Sequence, residues 1–273
     1  MFNRNNSNYQ PNRFETFPPV VKNLILLNGI MYLITEFCSA FLNINLNQIL
    51  GLHNIDSPYF KPYQLVTHFF MHGGFLHIAL NMLSLWMFGA VIENFWGGRR
   101  FLVYYLVTGL GAAYIHLMYS SWEYHSMANA AALFAESPTV EGLMDFYHNY
   151  SNPNLDSYFK EMIQVWDHSS PLGIEKKAVE LVDAVVQVKR DLPMVGASGA
   201  VFGVLLAFGM MFPNQIVFFI LFPMPAKYLV VLYGAMELYN GLMNDPTSNV
   251  AHFAHLGGML FGFLLIKSWQ RRS

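Results

Sequence analysis

The chain has 273 residues, of which 54% are hydrophobic and only 12% charged, roughly half the charged share of an ordinary soluble domain. A formal net charge of −2, with no basic cluster beyond short Lys/Arg pairs, leaves no electrostatic footprint for nucleic acid. The single cysteine, Cys38, sits inside an apolar run, which excludes an intrachain disulfide and a thiol-based zinc site.

In chain order, residues 1–19 are rich in Asn and aromatics and read as a cytoplasmic tail. No small-residue cleavage site follows the first apolar stretch, so that stretch is expected to stay as a membrane anchor. A spanning helix needs roughly 20 mostly apolar residues, and six stretches approach that length: 20–42, 75–95, 101–119, 198–212, 225–239 and 250–269. The expected fold is an all-α polytopic membrane protein with six transmembrane helices. Residues 20–119 would hold helices 1–3 and the first outward loop, and 193–269 a re-entrant loop and helices 4–6. Residues 270–273 would form a second cytoplasmic tail. Pro213, Asn214 and Gln215 read as a loop rather than a kink, because Pro223 and Pro225 close the apolar piece that follows.

Positive charge in short loops marks the cytoplasmic side. Arg4, Arg13, Lys22, Arg99, Arg100, Lys227, Lys267, Arg271 and Arg272 all fall on one side if both termini are cytoplasmic. The third connection, 120–192, is too long for an ordinary loop and reads as an outward-facing helical insert. Leu155, Tyr158, Phe159, Met162, Ile163 and Trp166 recur at helical spacing, as do Ala178, Leu181, Val182, Val185 and Val186, so two amphipathic helices are expected. Eleven acidic against five basic side chains give the insert a net charge near −6, which suits a water-facing segment.

The sharpest local signal is Gly196-Ala197-Ser198-Gly199 at the start of the fourth helix. Alone, such small residues read more readily as tight helix packing. That helix, however, is only about 15 residues, roughly 22 Å against an apolar core near 30 Å, so Ser198 would start below the membrane surface. The backbone before it would be non-helical at depth, which requires burial in protein or a wet cavity. Free N–H groups there could hold an oxyanion.

His255 lies near the outer end of the sixth helix, where an ionisable group is costly. Gly258 and Gly262 form a small-residue stripe on its flank that would bring the helix close to a neighbour. His252, nearer the surface, is the weaker candidate for a base. His77 and Asn81, four apart on helix 2, stack on one face and could donate to an oxyanion beside the serine. Glu93, one turn after Gly89, reads as a structural carboxylate satisfying backbone donors in the adjacent loops, with Glu36 and Glu237 read similarly. Phe202, one turn after Ser198, could support the His255 ring by packing.

Together these residues resemble the rhomboid family of intramembrane serine proteases over about 62–269, excluding the insert. The carrying pieces are His77 with Asn81, Gly89 with Glu93, Gly196-Ala197-Ser198-Gly199, and Ala254-His255-Leu256-Gly257-Gly258 with Gly262. The resemblance implies a six-helix core around a cavity open outward and a Ser198–His255 dyad needing no third acid. It also implies an oxyanion hole from the Ser198 N–H, His77 and Asn81, with no metal or cofactor. Substrates would be transmembrane segments of other proteins, met within the lipid bilayer. The fifth helix and the loop at 241–249 would form a moving gate. Relatives often have Tyr at Phe202 and a Trp-Arg pair where Tyr63-Gln64 stands, and the typical short bacterial members lack the insert. The rival readings are a rhomboid-like, non-catalytic client-binding protein, against which both Ser198 and His255 speak, and a small transporter, for which no paired halves are found. With no evident organelle presequence, a bacterial inner membrane is the expected location.

Overall fold

The computed structural model describes residues 14–150, 156–169, 173–219, 222–243 and 251–271. Most of the 1–19 tail, Leu155, residues 244–249 of the expected gate, Val250 at the expected start of the sixth helix, and residues 272–273 lie outside the described residues.

The described residues are helical or irregular apart from one two-stranded sheet and an isolated Leu52–Met194 bridge. Helix α1 (Pro19–Leu42) leads into a first loop carrying the short helices α2 (Leu46–Leu50) and α3 (Gln64–Thr67). A continuous rod follows, made of α4 (Phe75–Ser84), a π-helical turn (Leu85–Gly89) and α5 (Ala90–Trp96). Next come α6 (Gly98–Glu136) and the insert helices α7 (Val140–Tyr150), α8 (Asp156–Ser169) and α9 (Ile174–Asp191). The last part holds α10 (Ser198–Met211), strands β1 (Ile216–Phe219) and β2 (Phe222–Pro225), α11 (Ala226–Met243) and α12 (His252–Arg271).

Helices α6, α10 and α12 pack mutually and form the centre of the bundle. Glycine makes this possible. A Cβ on Gly258 would fall on the backbone carbonyl of Gly199, and one on Gly262 would strike the Tyr104 hydroxyl. That hydroxyl donates to the Gly203 carbonyl at 2.8 Å, tying α6 to α10. Small residues let helix backbones approach to this distance, where lipid supplies no hydrophobic drive. On the outside, Leu26, Ile30, Leu33, Phe37 and Phe41 of α1 are exposed, an apolar face suited to lipid.

Among the described residues, three helices are long and apolar enough to cross a membrane: Pro19–Leu42, the Phe75–Trp96 rod and Gly98–Glu136. Helix α10 is apolar but has only 14 residues, about 21 Å. Helices α11 and α12, with 18 and 20 residues, carry Lys227 and Glu237, and Lys267 and Arg271.

Three sequence expectations are corrected. The third predicted helix does not stop at 119: α6 runs unbroken for 39 residues, about 58 Å, into the insert. Its second half is rich in Ala, a strong helix former, and turns Met127, Ala131 and Phe134 towards the insert core. Among the described residues the insert holds three helices of its own, α7 in addition to the two expected, because the 11-residue α7 buries only Leu143 and Phe146, too short a pattern to stand out. The fifth helix runs over Ala226–Met243 rather than 225–239, and the apolar piece after Gln215 is a strand pair, with Ile216 opposite Pro225 and Val217 opposite Met224. β-branched and aromatic residues favour strands, and prolines are tolerated in a strand with no further neighbour.

Candidate active site

Ser198 opens α10 after a stretch of extended backbone held by the first loop. Leu52 and Met194 exchange N–H···O bonds of 2.8 Å each, and the Gly196 N–H donates to the His68 carbonyl at 2.9 Å. These bonds satisfy polar groups of the non-helical backbone from within the protein. Gly196 has φ 122°, a conformation open chiefly to glycine, and a Cβ there would lie 2.8 Å from the His77 ring. Helix α10 has no side-chain N-cap, so the first-turn N–H groups, that of Ser198 among them, have no intrahelical acceptor.

His255 sits in the first turn of α12, which starts at His252. Its Nε2 lies 2.8 Å from Ser198 Oγ. The Phe202 ring stacks on the imidazole, with centroids 4.2 Å apart and planes 8° from parallel, fixing the plane of the ring. Gly258 and Gly262 do not touch Ser198 chemically; they seat α12 against α10 and α6 so that His255 reaches the serine.

His77, Asn81, Phe202, Ser198 and His255 all line one cavity of about 1290 Å³. The Gly73 N–H donates to His77 Nδ1 at 3.4 Å, which assigns the ring proton to Nε2, the atom beside Gly196. Asn81 is buried, and its Nδ2 has no hydrogen-bond partner among the described residues. A buried donor without an acceptor is costly, and this one lines the same cavity as the serine.

The rim of the cavity includes Glu123 of α6 and Lys189 of α9, paired at 3.0 Å. The insert is docked on the first loop as well: Ser57 donates to Asp191 at 2.7 Å and Ser121 to Asp56 at 2.9 Å. The Arg190 guanidinium bonds Asp191 and, with Ser57, holds its carboxyl below the usual carboxylate range.

Other carboxylates sort differently from the sequence reading. Glu93 accepts the N–H groups of Val20 (2.9 Å) and Val21 (2.7 Å). It therefore binds backbone donors, those of the first turn of α1, which has no side-chain cap of its own, rather than donors in a loop. Glu36 is exposed and bonds Tyr32. Glu237, read as a binder of backbone donors, instead faces two imidazoles: its Oε2 lies 2.6 Å from His252 Nδ1 and 2.9 Å from His255 Nδ1. These three side chains bring metal-ligating atom types within 4.8 Å of one another, and their contacts at hydrogen-bond distance describe a carboxylate shared between two histidines. Gln64 was also missed: its amide bonds the Ile49 and Tyr59 carbonyls and the Lys61 N–H, clamping the first loop.

Comparison with known proteins gives the family. The Rhomboid domain model matches residues 59–165 and 177–270. A mitochondrial rhomboid protein of Schizosaccharomyces pombe is 26% identical over 77% of this chain and 52% of its own length. The mitochondrial RHOMBOID-like protein 12 of Arabidopsis thaliana is 24% identical over 88% of this chain and 55% of its own. The rhomboid protease GluP of Bacillus subtilis is 33% identical over 26% of this chain and 14% of its own. The chain thus spans about half the length, or less, of these curated relatives. Two of them, aligned over most of the chain, are mitochondrial by name, so the expectation of a bacterial inner membrane is withdrawn. An integral membrane protein stands.

Proposed function

The chain belongs to the rhomboid family, and on that premise we propose that it is an intramembrane serine endopeptidase with Ser198 as nucleophile and His255 as base. Both termini would be cytoplasmic and the insert outward, with α10, α11 and α12 completing six spans around the cavity. The observation that carries the reading is the 2.8 Å approach of Ser198 Oγ to His255 Nε2, inside a cavity that also holds the His77 and Asn81 donors.

In the reaction, His255 Nε2 takes the Ser198 proton as Oγ bonds to a substrate peptide carbonyl carbon. The carbonyl electron pair moves onto its oxygen, which the Ser198 N–H and the His77 and Asn81 side chains stabilise. Donors fixed in a site of low dielectric act more strongly than in water. Collapse of the intermediate breaks the C–N bond, and the leaving amine takes the proton from Nε2. Water then attacks the acyl-enzyme by the same route, with His255 again as base and then acid. The substrate would be a transmembrane segment unwound locally, since the serine needs a bare carbonyl.

The direct test is a fluorophosphonate or isocoumarin probe on folded protein in detergent. The wild type should be labelled, Ser198→Ala should not, and His255→Ala should be labelled far more slowly. No labelling of folded wild type, or equal labelling of Ser198→Ala, would overturn the assignment.

A further inference from the structure

Resting on that reading, we infer that Glu237 is a third member of the site, a positioning residue that holds His255 in the tautomer and orientation the reaction needs. The argument starts from proton bookkeeping. To accept a proton from Ser198 Oγ at 2.8 Å, neutral His255 must carry its lone pair on Nε2 and its own proton on Nδ1. That Nδ1–H is buried, with no aligned hydrogen-bond partner among the described residues. The polar atom standing against it is Oε2 of Glu237, 2.9 Å away.

The distance is that of a hydrogen bond, while the alignment is not, and His252 supplies the reason. Its Nδ1 lies 2.6 Å from the same oxygen and is aligned with it, so the carboxylate is angled towards His252. The two rings meet at 89°, which lets both present Nδ1 to one oxygen. His252 thus anchors the carboxylate, and the carboxylate faces His255. Contacts of this kind are often misaligned in an unliganded site and tighten in the reacting complex.

When Ser198 loses its proton, His255 becomes an imidazolium whose Nδ1–H faces a carboxylate with 9% of its surface exposed. Opposite charges in partly buried surroundings attract far more strongly than in water. The neutral tautomer and the charged intermediate therefore both favour the same contact, the logic by which a buried acid serves a Ser–His pair. His77, His116, Tyr119, Glu123, Lys189 and Tyr233 are further titratable side chains lining the same cavity, and Ser198 and Phe202 stand against the ring of His255.

The test compares wild type, Glu237→Gln, Glu237→Asp and His252→Gln in full-length protein in liposomes. Cleavage of a transmembrane substrate gives kcat and KM, thermal unfolding reports the fold, and ¹⁵N-edited spectra of the His255 ring report its tautomer. Glu237→Gln should lower kcat by at least about tenfold with KM nearly unchanged, and the His255 Nδ1–H signal should move. Glu237→Asp should recover part of the loss, because the charge is kept, and His252→Gln should lose less than Glu237→Gln. A structural role would instead lower the unfolding temperature in the Asp and Gln variants alike. That result, or wild-type kcat in Glu237→Gln while Ser198→Ala is dead, would overturn the inference alone. Equal cleavage by wild type and Ser198→Ala would overturn the serine-protease reading, and this inference with it.

Discussion

The bundle and the insert share one helix and are held together differently. In its first half, α6 turns Tyr104, Thr108 and Ala112 towards α10 and α12, where glycines let backbones touch beside a core that includes Phe101, Leu205 and Phe208, while α1 turns large apolar side chains outward. In its second half the same helix turns Met127, Ala131 and Phe134 into a cluster with Leu143, Phe146, Phe159, Trp166 and Val182. The outer face there carries ion pairs such as Lys160 with Asp156 and Lys176 with Glu180. The insert is held by apolar burial as any water-soluble domain is, whereas the bundle is held by close packing and hydrogen bonds, because lipid is as apolar as its side chains. The cavity with Ser198 and His255 opens where the two regimes meet.

Substitutions that suit one regime should fail in the other. Phe159, fully buried in the insert, should cost about 3–5 kcal/mol when changed to Ala, read as faster proteolysis between 137 and 192 with the bundle still resistant. If the whole chain unfolds together, the two regions are one cooperative unit and the comparison is too sharp. Asn81→Ala should reduce cleavage by about 10²- to 10³-fold, the usual loss for one oxyanion donor, with little change in unfolding temperature; an unchanged rate would remove Asn81 from the site. Gly258→Ala should cost about 1–3 kcal/mol or more, because the new methyl meets backbone rather than a movable side chain, and should lower both unfolding temperature and activity. The smallest effect lies at the junction. Asp191 is held below the usual carboxylate range by Arg190 and then Ser57, so its contribution is present above about pH 4 and is lost as pH falls through the depressed value. At this exposure it should amount to less than about 1 kcal/mol. Asp191→Asn should flatten the acid limb of a stability–pH curve without changing neutral stability by more.

How much of this was legible follows the same divide. Apolar runs of spanning length mark α1 and the Phe75–Trp96 rod directly, because lipid demands long apolar segments, while α10 is marked by a shorter one. Ser198, His255, His77 and Asn81 stood out as a set through the family they resemble; their approach to one another depends on Gly258 and Gly199, which the small-residue stripe had signalled. The second half of α6 was not legible as a continuation, since hydropathy falls once the helix leaves the apolar stretch although helix propensity does not. Glu237 was read as a structural carboxylate for backbone donors, and its histidine partners were not legible. Which residue a carboxylate on α11 meets depends on the turn by which α12 faces it, and no local pattern encodes that turn. Gln64 was noticed only as a departure from a Trp-Arg pair, while its clamp on the first loop is a tertiary arrangement of backbone carbonyls.

The most direct measurement is cleavage of a fluorescent transmembrane substrate by purified protein in liposomes, comparing wild type with Ser198→Ala and His255→Ala at matched unfolding temperatures. The account predicts that the wild type cuts within the segment and that each variant loses at least about 10³-fold. Cleavage by Ser198→Ala at the wild-type rate would contradict it.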